Sequence, residues 1–262
     1  MQRWKQTSLV LCLIWIALLS THSVVVQAGA SPYHFGFKKS RNGQLPSIEQ
    51  EGFKPILEKH EAIFMGSSRE KELYLTFDNG YENGFTTDVL DVLKEKNVPA
   101  AFFVTGHYIQ DQPDLMKRMV QEGHLIGNHS WSHPDMTTIS SERIREELEK
   151  VRVETAKLTG QLEMPYLRPP RGIFDERVLE ISRSEGYTSV FWSVAYMDWD
   201  TKKQRGKQHA YDNVMAQLHP GAVILLHSVS SDNAAALGQM IEDARKQGYT
   251  FKRLDQLKTR QY

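Results

Sequence analysis

Between residues 73 and 252 the chain repeats one unit, in which a short apolar run is followed by a stretch with apolar residues three or four positions apart. The runs are candidate β-strands, and the stretches have the spacing of amphipathic helices. Three helical stretches end at Gly123, Gly186 and Gly248, just before the next run, where glycine commonly ends a helix. The candidate strands cover residues 73–77, 101–104, 125–128, 166–168, 189–192, 223–226 and 250–252.

This alternation predicts an α/β fold, a parallel sheet of about seven strands with right-handed crossovers. Two architectures fit: an open doubly wound sheet, or a (β/α) barrel one unit short of eight. No G-x-G-x-x-G segment follows the first run, so the sequence does not favour a dinucleotide-binding domain. In both architectures the functional face lies at the C-terminal ends of the strands.

The first 28 residues have the order of an export signal. Arg3 and Lys5 precede an apolar run of eleven residues at 9–19, and the segment up to Ala28 resembles a small-residue cleavage site. Eleven residues are too few to cross a bilayer as a helix. We predict that residues 1–28 are a signal peptide and that the protein is secreted; an uncleaved membrane anchor is the alternative.

Composition excludes two classes of protein. Cys12 is the single cysteine, so no disulfide can form within the chain. Lys plus Arg and Asp plus Glu number 32 each, whereas a general nucleic-acid-binding protein needs a basic surplus. We therefore expect no nucleic-acid partner.

Residues 29–70 are polar and irregular, with helical spacing at 55–64, and we predict that they pack as an extension on a domain of residues 71–262.

Side chains capable of chemistry recur where the predicted strands end, and shared position at one face of the sheet is what makes them a candidate site. They are Asp78, Asn79, His129, His133, Arg168, Asp198 and His227.

Each of these side chains has a chemical and a structural interpretation. His129 and His133 can reach one metal ion if the turn between them is helical, or they are surface histidines. Asp78 is a general base, a metal ligand or an aspartate that caps the next turn. The carbonyl oxygen of Asn79 is a weak metal ligand.

His227 ends a strongly apolar run, and imidazole is suited to general acid or base catalysis near neutral pH. Asp198 could orient that imidazole, as carboxylates do in many sites. Arg168 is followed by two prolines, and a rigid guanidinium could hold Asp78. A satisfied core histidine and a structural salt bridge are the alternatives.

Taken together, these segments resemble the five motifs of the polysaccharide deacetylases (carbohydrate esterase family 4, the NodB-homology domain). The resemblance spans residues 73–252, and five motifs in order are far more specific than any one of them. Finer features, such as 78–84 and 191–196, are similar to the delta-lactam-biosynthetic de-N-acetylases of spore-forming bacteria. The motif segments are 76–80, 129–133, 168–172, 192–199 and 225–227.

The resemblance implies a distorted (β/α) barrel and a role for each matching residue. Asp78 would be the base, held by Arg168; His227 would be the acid, oriented by Asp198. The implied metal ligands are His129 and His133, with Asn79, and the metal is zinc or another divalent ion (Mn, Co or Mg). The backbone N–H of Arg171 would help to bind the oxyanion. The implied substrate-binding residues are Arg171, Trp192, Leu225 and Tyr81.

Two departures from the family pattern affect the predicted site, and a third, at Arg171, bears on the substrate. Most members have a metal-binding Asp where this chain has Asn79, although the subgroup shares the Asp-Asn pair. Ala195 replaces the first Asp of the fourth motif. Many members have an aromatic residue at the position of Arg171, and a guanidinium there suits the lactyl carboxylate of N-acetylmuramic acid.

The function implied is an exported, metal-assisted enzyme that removes acetyl from N-acetylmuramic acid residues of peptidoglycan. The freed amine would then form the muramic-δ-lactam of spore cortex, on the cell-wall or spore-envelope side of the membrane. Peptidoglycan glycan strands are the expected partner, and we expect a monomer with no stable protein partner. The alternatives are a deacetylase of chitin-type or other acetylated glycans and a non-catalytic cell-wall-binding module.

Overall fold

The computed structural model describes residues 31–262, so the predicted signal peptide lies outside the described residues. All seven predicted strands form and pair in parallel, in the order β7-β5-β4-β3-β2-β8, with β9 beside the start of β2. The strands are β1 (Tyr33–His34), β2 (Glu72–Asn79), β3 (Ala100–Val104), β4 (Leu125–Asn128), β5 (Tyr166–Leu167), β6 (Ile173–Phe174), β7 (Thr188–Ser189), β8 (Ala222–His227) and β9 (Thr250–Phe251).

Helices follow most strands, as the repeat predicts. Within residues 31–262 none of them is long and apolar enough to span a membrane. The helices are α1 (Lys54–Lys59), α2 (Thr86–Glu95), α3 (Gly106–Asp111), α4 (Pro113–Gln121), α5 (Ser141–Thr159), α6 (Glu176–Ser184), α7 (Lys207–Met215) and α8 (Ser231–Lys246).

The sheet curls until its two edges nearly meet. After β7 the chain bridges to β8, where Val194 pairs with Ile224. Residues 63–66 lie across the remaining gap: Ile63 pairs with Val190, and the N–H of Gly66 donates to the carbonyl of Gly221 at 2.7 Å. The expected distorted (β/α) barrel is confirmed.

Residues 63–66 also correct one prediction. The helical spacing at 55–64 predicted a single helix, but α1 ends at Lys59 and Ile63 is in a strand-like bridge. A short apolar run fits a helix or a strand equally well, and here the open barrel edge decides. The described part of the extension packs on the barrel: β1 pairs with β6, and Phe35 stacks on Phe191 with ring centroids 4.4 Å apart.

Alternation along β2 decides which side chains can reach the site. Leu73, Leu75 and Phe77 pack in the large core beneath the helices, whereas Tyr74 packs in the smaller core inside the barrel. Successive strand residues point to opposite faces. Asp78 is therefore expected at the mouth of the barrel interior.

Candidate active site

A cleft of about 850 Å³ opens at the C-terminal ends of the strands. It brings together eight of the eleven predicted site residues, from five different strand ends. The remaining three, Asn79, Arg168 and Asp198, are buried and do not line it. The predicted residues that line the cleft are Asp78, Tyr81, His129, His133, Arg171, Trp192, Leu225 and His227.

Asp78 is held from behind by Arg168, which is fully buried. Nη1 of Arg168 donates to Oδ1 of Asp78 at 2.6 Å, and Nη2 donates to the hydroxyl of Thr76 at 2.9 Å. Burial of Asp78 is the largest influence and opposes ionisation, but the charge and hydrogen bond of Arg168, together with the imidazoles of His129 and His227, outweigh it and hold the pKa of Asp78 below its ordinary value. The cleft therefore contains an ionised carboxylate with one oxygen, Oδ2, directed away from the arginine.

His227 ends β8 directly beside Asp78 in the sheet register. Its Nδ1 lies 2.7 Å from Oδ1 of Asp198, and its backbone N–H donates to Oδ2 of the same carboxylate at 2.8 Å. Asn233 in α8 donates a third hydrogen bond to Asp198. Burial lowers the pKa of His227, but the charge and hydrogen bond of Asp198, together with the charge of Asp78, reverse this and the net shift is upward. A protonated imidazole is thereby stabilised, with Nε2 as its free N–H.

His129 and His133 lie on a loop that is not helical, contrary to the condition set for a shared metal. Ser130 and His133 have left-handed backbone angles, with φ of 63° and 55°. The loop nevertheless brings the two rings within 4.8 Å, centroid to centroid. Glu147 of α5, itself buried, fixes this geometry by accepting hydrogen bonds from the backbone N–H and the hydroxyl of Ser132, at 2.6 and 2.8 Å.

The two imidazoles have the properties of metal ligands. Nδ1 of His129 lies 2.8 Å from the carbonyl of Arg168, to which it can donate, and that leaves Nε2 as the acceptor atom, 3.6 Å from Oδ2 of Asp78. Burial lowers the pKa of His129, and it lowers the pKa of His133 to about 4, so both rings are neutral at pH 7.

Among residues 31–262 no group of three His, Cys, Asp or Glu side chains is arranged around a common metal position. The two neutral imidazoles, with ring centroids 4.8 Å apart, could supply two ligands to a divalent cation, one fewer than the three protein ligands typical of catalytic zinc sites.

Asn79 leaves β2 on the face opposite to Asp78. It is fully buried, it does not line the cleft, and its Nδ2 donates to the hydroxyl of Ser228 at 2.7 Å. Its side-chain oxygen has no hydrogen-bond partner among the described residues. The role of Asn79 as a metal ligand stays a prediction that these contacts do not support.

The turn Pro170–Gly172 forms one wall of the cleft. Arg171 has a φ of 57°, and its half-exposed guanidinium is 3.7 Å from the carboxylate of Asp135. Gly172 has a φ of 66°, and a Cβ there would meet the Trp192 ring at 2.8 Å. Glycine at 172 therefore permits both the turn and the close approach of Trp192.

Comparison with known proteins agrees with this geometry. The family model for polysaccharide deacetylase matches residues 65–190. The chain is 49% identical over 251 residues to the peptidoglycan-N-acetylmuramic acid deacetylase PdaA of Bacillus subtilis, covering 93% of this chain and 95% of that protein. The chain belongs to the polysaccharide deacetylase family.

Two solved structures extend the match to three dimensions. The structure of Bacillus subtilis PdaA, a family 4 carbohydrate esterase, superposes with a TM-score of 0.84 at 53% identity, over 87% of this chain and 97% of that one. A family 4 carbohydrate esterase from Bacillus anthracis superposes with a TM-score of 0.73 at 48% identity, over 87% and 96% of the two chains. The resemblance and the fold predicted from sequence are confirmed, and the protein is a hydrolase that acts on amide bonds.

Sequence reasoning missed three residues that support this polysaccharide deacetylase site, because it predicted no role for them. Glu147 anchors the histidine loop, Asn233 bonds Asp198, and Thr76 shares the guanidinium of Arg168. The capping pattern around Ser140 indicated the helix that bears Glu147, but no spacing in the sequence links a residue in mid-helix to a loop fifteen positions earlier. Only the packing of α5 reveals it.

Proposed function

We propose that this protein removes the acetyl group from N-acetylmuramic acid residues of peptidoglycan whose peptide stems are gone. The observation that carries the proposal is that two hydrogen-bonded charge pairs meet at one cleft: Arg168 with Asp78, and Asp198 with His227. The first pair supplies an anionic base and the second a cationic acid, as hydrolysis of an amide requires. The identity to PdaA over nearly the whole of both chains supports muramic acid as the substrate.

The base is Asp78. Because Arg168 keeps it ionised, its free oxygen can accept a proton from the water that attacks the acetamide carbonyl. The new C–O bond forms as the carbonyl π electrons move to oxygen. We propose that the backbone N–H of Arg171, in the turn that lines the cleft, donates to this oxyanion, an interaction worth about 3 kcal/mol.

The acid is His227. Its Nδ1 proton is engaged by Asp198, so Nε2 delivers the proton to the nitrogen of the tetrahedral intermediate. The C–N bond then breaks, which yields acetate and the free amine of muramic acid. We propose that this amine closes on the lactyl carboxyl to give the muramic-δ-lactam of spore cortex.

We propose His129 and His133 as the ligands of a divalent cation, zinc, manganese, cobalt or magnesium. When bound, the cation polarises the acetamide carbonyl and lowers the pKa of the attacking water. Other residues orient the two imidazoles: Glu147 holds the loop that bears them, and the carbonyl of Arg168 fixes the tautomer of His129.

Four residues are proposed to bind the sugar. Trp192 and Leu225 enclose the acetyl methyl group, and Tyr81 offers an exposed ring at the rim. Arg171 is proposed to pair with the lactyl carboxylate, because it lines the cleft and its half-exposed guanidinium is held only by an ion pair with Asp135 at 3.7 Å, beyond hydrogen-bond distance. We expect Arg171→Ala to lose activity on muramic residues while retaining it on N-acetylglucosamine; an unchanged ratio would refute this assignment.

Peptidoglycan lies outside the cytoplasmic membrane, so this function requires export. We propose that residues 1–28 supply it, that the enzyme acts as a monomer, and that its partner is the glycan strand.

The test is incubation of the purified protein with amidase-treated peptidoglycan, with and without a chelator, followed by mass spectrometry of the released muropeptides and of acetate. We expect loss of acetyl from muramic residues and abolition by the chelator, with Asp78→Asn as the inactive control. Turnover of chitohexaose instead would show a chitin-type deacetylase. No turnover on either glycan, with retained binding, would show a non-catalytic wall-binding module.

A further inference from the structure

Behind the cleft, four polar side chains form a continuous hydrogen-bonded chain, here called the Glu82 chain: Asn79, Ser228, Thr86 and Glu82. Nδ2 of Asn79 lies 2.7 Å from Oγ of Ser228, Oγ of Ser228 lies 2.9 Å from Oγ1 of Thr86, and Oγ1 of Thr86 lies 2.5 Å from Oε2 of Glu82. Asn79, Thr86 and Ser228 are fully buried. The chain therefore runs from the β2 strand end to a carboxylate in the β2–α2 loop.

The carboxylate sets the direction of every bond in the Glu82 chain. An ionised carboxylate only accepts, so Thr86 donates its single hydroxyl proton to Glu82. Thr86 can then only accept from Ser228, and Ser228, having given its own proton, can only accept from residue 79. The fourth member must be a donor, and an asparagine amide is one.

A carboxylate at position 79 would break this order. It has no proton to donate, so Ser228 would have to turn toward it and abandon Thr86. The same substitution would bury a negative charge three hydrogen bonds from the partly buried carboxylate of Glu82, and neither charge has a basic partner among these hydrogen bonds. Asn79 therefore supplies the hydrogen-bond donor that an ionised Glu82 requires at the other end of the Glu82 chain.

We propose that Glu82, acting through Thr86 and Ser228, specifies a hydrogen-bond donor at position 79 and so positions the β2–α2 loop at the edge of the cleft. Asn79 is then a positioning residue, which agrees with its placement on the face of β2 opposite to Asp78.

The loop has the contacts that such a role requires. Oε1 of Glu82 accepts from the backbone N–H of Gly84 at 2.7 Å and of Thr86 at 3.2 Å. Oε2 also accepts from the hydroxyl of Tyr108 at 3.1 Å. The segment held in this way includes Gly80 and Tyr81, both of which line the cleft.

The test is a double-mutant cycle on unfolding in urea and on thermal midpoints, with Asn79→Asp, Glu82→Gln and both together. Asn79→Asp should lower the midpoint by about 5 °C or more. Glu82→Gln removes the charge and supplies an amide N–H that can donate to Thr86. Every hydrogen bond of the Glu82 chain can then reverse its direction, so that Ser228 donates to a carboxylate at position 79. The double variant should therefore be more stable than Asn79→Asp alone.

Asn83→Asp is the matched control. Asn83 lies in the same loop and donates one bond, to the carbonyl of Val229 at 2.9 Å, but its side chain is exposed. Its substitution should shift the midpoint little, and Glu82→Gln should not rescue it. Equal losses from Asn79→Asp in both backgrounds, or no loss at all, would overturn the proposal. If Asn79→Asp fails to fold, folding of the double variant decides the question.

Zinc titration by calorimetry supplies a second measurement that is independent of catalysis. A carboxylate joining the two imidazoles as a third protein ligand would raise zinc affinity by about tenfold or more. Because residue 79 faces away from the cleft, we expect no such rise in Asn79→Asp or in the double variant. A tenfold rise would overturn the inference, whereas failure of the deacetylation assay would leave this cycle unaffected.

Discussion

Replacing Arg168 with methionine should leave the carboxylate of Asp78 buried without its charged partner. The guanidinium makes four hydrogen bonds, to Asp78, to the hydroxyl of Thr76 and to the carbonyls of Val190 and Phe191, and all of its surface is buried. Removing one partner of a buried ion pair costs about 3–5 kcal/mol, because the remaining charge stays in a low-dielectric site. For a chain of this size that corresponds to a fall of about 6–20 °C in the thermal midpoint.

The pH dependence of the free energy of unfolding shows whether Asp78 is the group that lost its partner. In the wild type the pKa of Asp78 is depressed, so its contribution to stability is present above its unfolded pKa, about 3.9, and is lost as pH falls through the folded pKa. In Arg168→Met the lowering by Arg168 is lost, and we expect burial, the largest single influence, to outweigh the remaining imidazoles of His129 and His227 and to raise the folded pKa above 3.9. The free energy of unfolding should then increase as pH falls from neutral, and the deficit should be smaller at pH 5 than at pH 7.5.

Urea unfolding at the two pH values measures this effect. The double variant Asp78→Asn with Arg168→Met has no unpaired buried charge at this site and should recover most of the lost stability. Arg145→Met is the matched control, because that arginine pairs with Glu185 at 2.9 Å on the surface and such pairs contribute within about 1 kcal/mol. A stability of Arg168→Met within 1 kcal/mol of the control, or a deficit that does not change with pH, would refute the reasoning.

Two further perturbations test the acid and the cleft wall. Asp198→Asn should remove the charge that raises the pKa of His227, so the alkaline limb of the kcat/KM profile should move to lower pH and the rate should fall by about 100-fold or more; an unmoved limb would exclude His227 as the acid. Gly172→Ala should destabilise the protein more than Gly186→Ala in thermal unfolding, because both have positive φ but only Gly172 would bring a Cβ against Trp192, at 2.8 Å, while nothing lies within 4 Å at Gly186. Equal losses would show that backbone strain alone matters.

Much of the site could be predicted because a parallel sheet brings the C-terminal ends of its strands to one edge. Asp78, His129 and His227 each follow an apolar run, and parallel strands place all their C-terminal ends at one edge. Local sequence thus carries long-range information without any knowledge of packing. The predicted pairs Arg168–Asp78 and Asp198–His227 both form, at 2.6 and 2.7 Å.

Other features could not be predicted, because the partners lie far apart in the chain and neither residue marks the other. Asn79 was expected beside the two imidazoles from its place next to Asp78, but strand alternation turns it toward Ser228. The spacing at 55–64 predicted a helix that ends at residue 64, whereas residues 63–66 lie in the gap at the open edge of the barrel.

The sequence by itself determined the order of strands and helices, the edge of the sheet at which chemistry occurs and the kinds of side chain present there. These follow from periodicity and from the ends of elements, which are local properties. Tertiary structure alone decided the protonation states of Asp78 and His227, the support of the histidine loop by Glu147 and the face on which Asn79 lies. Those depend on burial and on charges brought within a few ångströms by packing, and such distances are not encoded in the spacing of residues along the chain.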